Sequence, residues 1–224
     1  IRDRVNIFQR GIKMTIYQFQ TKAETLEFFS GKLNRTKVLP VFKLVWKEYM
    51  EDRDTCIGKI QQFFSAPYLI VRSSNQGEDQ INDSGAGEYT SCLNVYKANV
   101  LELQKCIEKV FDSYQEKQTE DIVLIQPMLT SIKLSKVVFT CDLDTLAPYY
   151  TINYDISSKS DAVTGSYTNA LKTLINYKDA IDKCGDTDLR NLLYACQEIE
   201  VLCGNSLMHP NLLGDRTVFG VMPD

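Results

Sequence analysis

The chain has 224 residues, of which 44% are hydrophobic and 24% are charged, and its formal net charge is −4. This composition is ordinary for a globular protein, and the acidic balance argues against a dedicated nucleic-acid binder, which needs a basic face for the phosphates. No apolar run approaches the roughly 20 residues that cross a bilayer, and residues 1–13 lack the apolar stretch of a signal peptide. We therefore expect a cytoplasmic protein without nucleic-acid or membrane partners.

Residues that commonly bind metals are scattered along the chain. Its seven cysteines form no Cys-x-x-Cys pair, and His209 is the only histidine. Clustered ligands are the signature of a structural zinc site, so we expect none. The sequence instead predicts reduced and mostly buried thiols.

Helical and strand-like hydrophobic patterns are interspersed along the chain. Thr21 followed by Glu24 has the pattern of a capping box at a helix start. In chain order, we predict a helix over 21–30, a strand or extended segment over 38–42, a helix over 46–64, strands over 68–72 and 89–95, a helix over 99–117, strands over 122–126, 137–140 and 149–154, and a helix over 188–203.

The order of these elements shows no regular βαβ repeat, which favours an α+β fold. We expect two lobes, 14–118 and 119–207, joined near 117–121. Residues 1–13 are interpreted as an N-terminal extension or a cloning remnant, and 208–224 as an exit linker.

The stretch from 69 to 89 carries the most informative chemistry. Its apolar run ends in Arg72, which predicts a buried strand that delivers a guanidinium to the end of a sheet. A polar loop follows, and Gly85, Ala86 and Gly87 then form a small-residue turn whose backbone amides can approach an anion closely. Without other support, such a turn is more often only a turn.

The ordered motifs of this stretch resemble the N-terminal nucleotide-binding domain of phosphoenolpyruvate synthases and pyruvate phosphate dikinases. They are Val71-Arg72-Ser73-Ser74, Glu78-Asp79, Ala86-Gly87-Glu88-Tyr89 and Leu93-Asn94-Val95. The resemblance covers about residues 22–204 and implies an ATP-grasp fold with the nucleotide between two lobes. It also implies that Arg72 is a catalytic residue that binds the ATP phosphates, and that the loop of Gly85, Ala86 and Gly87 covers them.

Three further segments are similar to that family. Lys22 occupies the position of a phosphate-contacting lysine but lacks the family's flanking glycines, so a solvated lysine at a helix start stays open. Gln126 and Met128 lie in a segment similar to the hinge that contacts adenine, which is equally compatible with a core strand ending at a proline turn. Residues 135–142 resemble a third family segment, and we assign Asp142 no role there.

The resemblance implies ATP and Mg²⁺ as ligands. It also implies that phosphate passes from Mg-ATP to a histidine on a separate swivelling domain and then to pyruvate. The family's magnesium ligands follow the last helix, but here Ser206-Leu207 runs directly into Met208-His209-Pro210. The metal ligands are therefore unknown, and we expect residues to be missing near 207–208. His209 lacks the family's phosphohistidine setting and is interpreted as a linker residue.

Three alternatives remain open at this stage. The first is an ATP-grasp phosphotransferase with another acceptor, such as an antibiotic or a glucan. The second is a nucleotide-binding regulatory module without catalysis, which the missing glycines around Lys22 favour slightly. The third, a plain interaction domain, leaves Arg72 and the glycine turn unexplained.

Overall fold

The computed structural model describes residues 21–74, 90–114, 118–130, 135–142, 145–155 and 172–203. The elements in these ranges are α1 (Lys22–Phe29), β1 (Phe42–Val45), α2 (Trp46–Glu51), α3 (Arg53–Phe63), β2 (Tyr68–Ser73), β3 (Ser91–Tyr96), α4 (Val100–Asp112), β4 (Ile122–Pro127), β5 (Ser135–Phe139), β6 (Tyr149–Asp155), β7 (Lys172–Tyr177), a 3₁₀ segment (Lys178–Lys183) and α5 (Thr187–Leu202). No helix among them is long and apolar enough to cross a membrane. The strands form two separate antiparallel sheets, which confirms the predicted α+β class.

The first sheet has the strand order β1, β4, β2, β3, and every neighbouring pair is antiparallel. On the central strand β4, Val123 and Ile125 pack into the largest core cluster, whereas Leu124 packs against α1. Burial on both faces explains why this strand has an unbroken apolar sequence. Because β4 follows residues 117–121, the sheet takes strands from both sides of the join that the sequence predicts between the lobes.

Three helices, α2, α3 and α4, supply the other side of that core. Phe111 is fully buried in it, and the half-buried Trp46 packs against Phe111 with ring centroids 4.8 Å apart. The prediction of one continuous helix over 46–64 is wrong, since the helix breaks at Asp52, whose backbone is non-helical. The Asp52 carboxylate accepts a hydrogen bond from the Thr55 amide at 3.0 Å and so begins α3 as a new helix.

The second sheet has the order β5, β6, β7, and α5 and the 3₁₀ segment cover one of its faces. Tyr150 and Ile152 of β6 are fully buried against Leu193 and Cys196 of α5. The sequence pattern did not predict β7, which pairs with β6 from Lys172 to Tyr177.

The short helix α1 contacts elements of both sheets. At its N-terminal end, Ala23 and Leu26 pack on Leu124 of the first sheet. At its other end, Phe29 forms a separate buried cluster with Ile199 of α5. One helix therefore shares its apolar side chains between the two halves of the described structure.

A carboxylate on α5 holds the turn after α1. Glu198 accepts hydrogen bonds from the backbone amides of Asn34 and Arg35 at 2.9 and 3.1 Å, and from the Asn34 side chain at 2.7 Å. Arg35 also lies over the ring of Tyr194, 4.8 Å from its centroid. These contacts attach the chain that leaves α1 to the helix of the second sheet.

Candidate functional site

The start of α1 and the end of β2 are joined by a buried hydrogen bond. The amide of Ala23 donates to Oγ of Ser74 at 2.9 Å, and the Ser74 side chain is fully buried. Lys22 is the neighbour of Ala23, and Arg72 precedes Ser74 by two positions. The backbone that carries Lys22 therefore lies beside the strand end that carries Arg72, although 51 residues separate the two bonded groups.

Arg72 lies on the face of the first sheet that α1 covers. It pairs with Leu124 of β4, and Leu124 packs against α1. Paired residues of antiparallel strands share a face, and alternate residues of a strand do so as well. Gln126, two positions after Leu124 and paired with Ile70, consequently lies on the same face as Arg72.

Gln126 and Met128 are the two predicted hinge residues. The Gln126 side chain is 6% exposed, so its amide places polar donor and acceptor groups in a largely apolar layer. Met128 is half-buried, and its backbone amide donates to the carbonyl of Tyr68 at 2.9 Å. The structure thus places Lys22, Arg72 and Gln126 on one side of the first sheet, with Met128 just past the end of its central strand.

The capping box predicted at the start of α1 is confirmed. Oγ1 of Thr21 accepts the Glu24 amide at 3.3 Å, and the Glu24 carboxylate accepts the Thr21 amide at 3.1 Å. Together with the bond from Ala23 to Ser74, these contacts occupy amides that a helix start could otherwise offer to an anion. The amides of Thr21, Ala23 and Glu24 therefore already have acceptors within the protein.

Ser74 is itself held from the opposite side of the sheet. Its amide donates to the hydroxyl of Tyr114 at 3.1 Å, and that hydroxyl donates to the carbonyl of Ile122 at 2.6 Å. The sequence motifs include Ser74 but give no signal for Tyr114, which lies 40 residues away from it.

Several predicted residues lie outside the described part of the chain. These are Gly85, Ala86 and Gly87 of the small-residue turn, the Glu78-Asp79 pair, and His209. Of the last motif, Asn94 is described and has a φ of 56°, a left-handed conformation that asparagine tolerates better than most residues. It lies in β3, opposite the register shift between Leu69 and Val71 of β2.

The described residues contain no group of three or more His, Cys, Asp or Glu side chains that could hold a metal ion. Asp142, to which the sequence assigned no role, accepts hydrogen bonds from the amide and hydroxyl of Thr145 at 2.8 and 2.6 Å. Its contacts are those of a carboxylate that stabilises a turn.

The seven cysteines are free thiols. Five of them are buried, which confirms the prediction of mostly buried thiols: Cys56, Cys92, Cys141, Cys196 and Cys203. Burial raises the pKa of Cys196 to about 12, and burial with the neighbouring Cys92 raises the pKa of Cys106 to about 12. Both stay protonated at neutral pH, so neither is an activated nucleophile.

No family model and no curated protein sequence matches this chain.

Proposed function

We propose that this chain is the ATP-binding domain of a phosphotransferase similar to phosphoenolpyruvate synthase, with an ATP-grasp-like fold. The observation that carries the proposal is the hydrogen bond from Ala23 to Ser74, because it puts the backbones of Lys22 and Arg72 side by side. Two cations from distant parts of the sequence then face the same region. This is the arrangement that a polyphosphate needs within a protein of net charge −4.

In this proposal, Lys22 and Arg72 hold the phosphates of ATP and the hinge segment with Gln126 and Met128 holds the adenine. The strand register supports that assignment, because it puts Arg72 and Gln126 on one face of the sheet. Arg72 is the catalytic residue, since a guanidinium can neutralise charge on the phosphate that is transferred.

The acceptor in the proposal is a histidine on a separate domain, which passes the phosphate on to pyruvate. Magnesium, when bound with ATP, would neutralise phosphate charge. The described residues include no group of three or more His, Cys, Asp or Glu side chains that could hold it. An antibiotic or glucan acceptor would use the same nucleotide site.

A non-catalytic nucleotide-binding module is the second candidate. It is favoured by the start of α1, where Thr21 and Ser74 already accept the amides of Glu24 and Ala23. Fewer backbone donors then remain for the transferring phosphate than in a glycine-rich loop. Consumption of ATP by the full natural protein with pyruvate, followed by phosphorus NMR, separates the two candidates, because a module binds ATP without consuming it.

Titration calorimetry with Mg-ATP tests the shared nucleotide site. We expect Arg72→Ala to weaken binding by about 10- to 150-fold, because it removes a charge-assisted contact worth about 1.5–3 kcal/mol. Lys105→Ala, a change at an exposed lysine on α4, is the control and should leave the affinity unchanged. Equal affinities of wild type and Arg72→Ala would disprove the phosphate-site assignment.

A further inference from the structure

Tyr114 lies between the first sheet and the layer formed by α2, α3 and α4. Tyr114 is 3% exposed, and its ring belongs to the core cluster that α2, α3 and α4 form with the first sheet. The ring stands edge-on to Phe111, with centroids 6.0 Å apart, so its position is fixed by packing. Its hydroxyl lies at the end of the sheet, between Ser74 and the carbonyl of Ile122.

The hydrogen bonds at this point form a continuous chain. Ala23 donates to Oγ of Ser74, the Ser74 amide donates to the Tyr114 hydroxyl, and that hydroxyl donates to Ile122. Ser74 is fully buried, so its amide has no access to solvent when the hydroxyl is removed. Loss of the hydroxyl therefore takes an acceptor away from the buried Ser74 amide, which costs more than losing a hydrogen bond at the surface.

We propose that Tyr114 is a positioning residue for the nucleotide site. Tyr114 fixes Ser74 from the side of the first sheet that α2, α3 and α4 cover. Ser74 in turn fixes the start of α1 on the opposite side. The distance between Lys22 and Arg72 then depends on the Tyr114 hydroxyl, although none of the hydrogen bonds just described joins that hydroxyl to either cation. This inference rests on the proposed function, since positioning matters only where a ligand needs both cations.

The test is ATP affinity in the Tyr114→Phe variant, measured by calorimetry. We expect the dissociation constant to rise about fivefold, the equivalent of one neutral hydrogen bond. In a Lys22→Ala background the same change should have little further effect, because the contact that it positions is already gone. Full additivity of the two changes would contradict a positioning role.

Tyr49→Phe is the matched control. Tyr49 is also fully buried, and its hydroxyl donates to Glu108 at 3.3 Å within the helical layer. Both variants should lower the midpoint of urea unfolding, but only Tyr114→Phe should lower ATP affinity. Equal affinities in the two variants would show that Tyr114 only stabilises the fold and would overturn the inference.

Amide hydrogen exchange of Ala23 separates this inference from the proposed function. We expect faster exchange in Tyr114→Phe and in Ser74→Ala, and unchanged exchange in Tyr49→Phe. If the wild-type chain does not bind ATP, the proposed function fails and the nucleotide part of the inference fails with it. Exchange at Ala23 still decides whether Tyr114 fixes α1, and an unchanged rate in Tyr114→Phe would refute that as well.

Discussion

Glu200, near the end of α5, is a buried carboxylate with two partners from other elements. It forms an ion pair with Lys178 of the 3₁₀ segment and accepts a hydrogen bond from the Tyr150 hydroxyl at 2.6 Å. Burial, together with the bond to Glu200, raises the pKa of Tyr150, so this phenol remains a neutral donor at physiological pH. The three side chains contact one another between the second sheet, the 3₁₀ segment and α5.

We expect Glu200→Gln to reduce the free energy of unfolding by about 3 kcal/mol, because it removes the negative charge that pairs with Lys178 in a site with little solvent. Urea unfolding measures this loss. Lys43→Met is the control, since its pair with Glu27 is 31% and 43% exposed and should contribute less than about 1 kcal/mol. Similar losses in the two variants would show that burial adds nothing to the Glu200 pair.

At the same scale, the residues of the candidate site differ in how far sequence predicts them. Arg72 and Gln126 are predictable, because each lies in an apolar run that ends in a polar residue. The bond between Ala23 and Ser74 is not predictable from a single sequence, since it joins residues 51 positions apart through a serine hydroxyl. Tyr114 is hidden for the same reason, because a tyrosine at the end of an apolar helix is ordinary core material.

At the scale of elements, four of the five described α-helices begin with a side chain that accepts the amide three residues further on, and α1 and α4 are two of them. Thr21 caps α1 by accepting the Glu24 amide, and Asn99 caps α4 by accepting the Glu102 amide at 3.2 Å. We expect Thr21→Ala and Asn99→Ala each to cost about 1 kcal/mol of stability in urea unfolding. Only Thr21→Ala should also weaken ATP binding in calorimetry, because only α1 carries Lys22.

Equal effects of both substitutions on ATP affinity would contradict a specific role of α1. A loss of stability without any change in affinity in either variant would place the nucleotide elsewhere. Asn99 serves as the comparison because it is exposed and caps a helix whose residues are not assigned to the site.

Most elements follow from local pattern, and the errors have local causes. The period of apolar residues continues from 46 to 63, but Asp52 competes for backbone amides and divides that helix in two. The strand β7 has no buried residue, since four of its six residues are exposed and two are half-buried, so its own pattern is too weak to predict a strand. These residues form a strand because they pair with the edge of β6. The local sequence of β7 does not contain that pairing.

At the scale of the whole molecule, Glu198 connects α5, which covers the second sheet, to the segment that follows α1. Burial acts to raise its pKa, but the hydrogen bonds from Asn34 and Arg35 outweigh it and hold the pKa below the usual value of a glutamate. A carboxyl whose folded-state pKa is lowered stabilises the fold at neutral pH. That contribution is lost as the pH falls through the carboxyl range, between about pH 5 and pH 3.

We therefore expect acid to weaken the contact between α1 and α5. The Glu198→Gln variant should be less stable than wild type at neutral pH, and its stability should change less between about pH 5 and pH 3. Urea midpoints across this range measure the difference, with Glu120→Gln as the control at an exposed carboxylate. Parallel pH profiles of wild type and Glu198→Gln would refute this role.

The contacts of α1 and of the turn after it with distant parts of the chain have a consequence for how the chain folds during synthesis. Asn34 and Glu198 are 164 residues apart, so the turn after α1 gains this partner only after the intervening chain has been made. Contacts of such separation form late, because the entropy of closing a long loop must be met first. The start of α1 can pair with Ser74 as soon as the first sheet has been made, whereas the turn after α1 is attached to α5 only later.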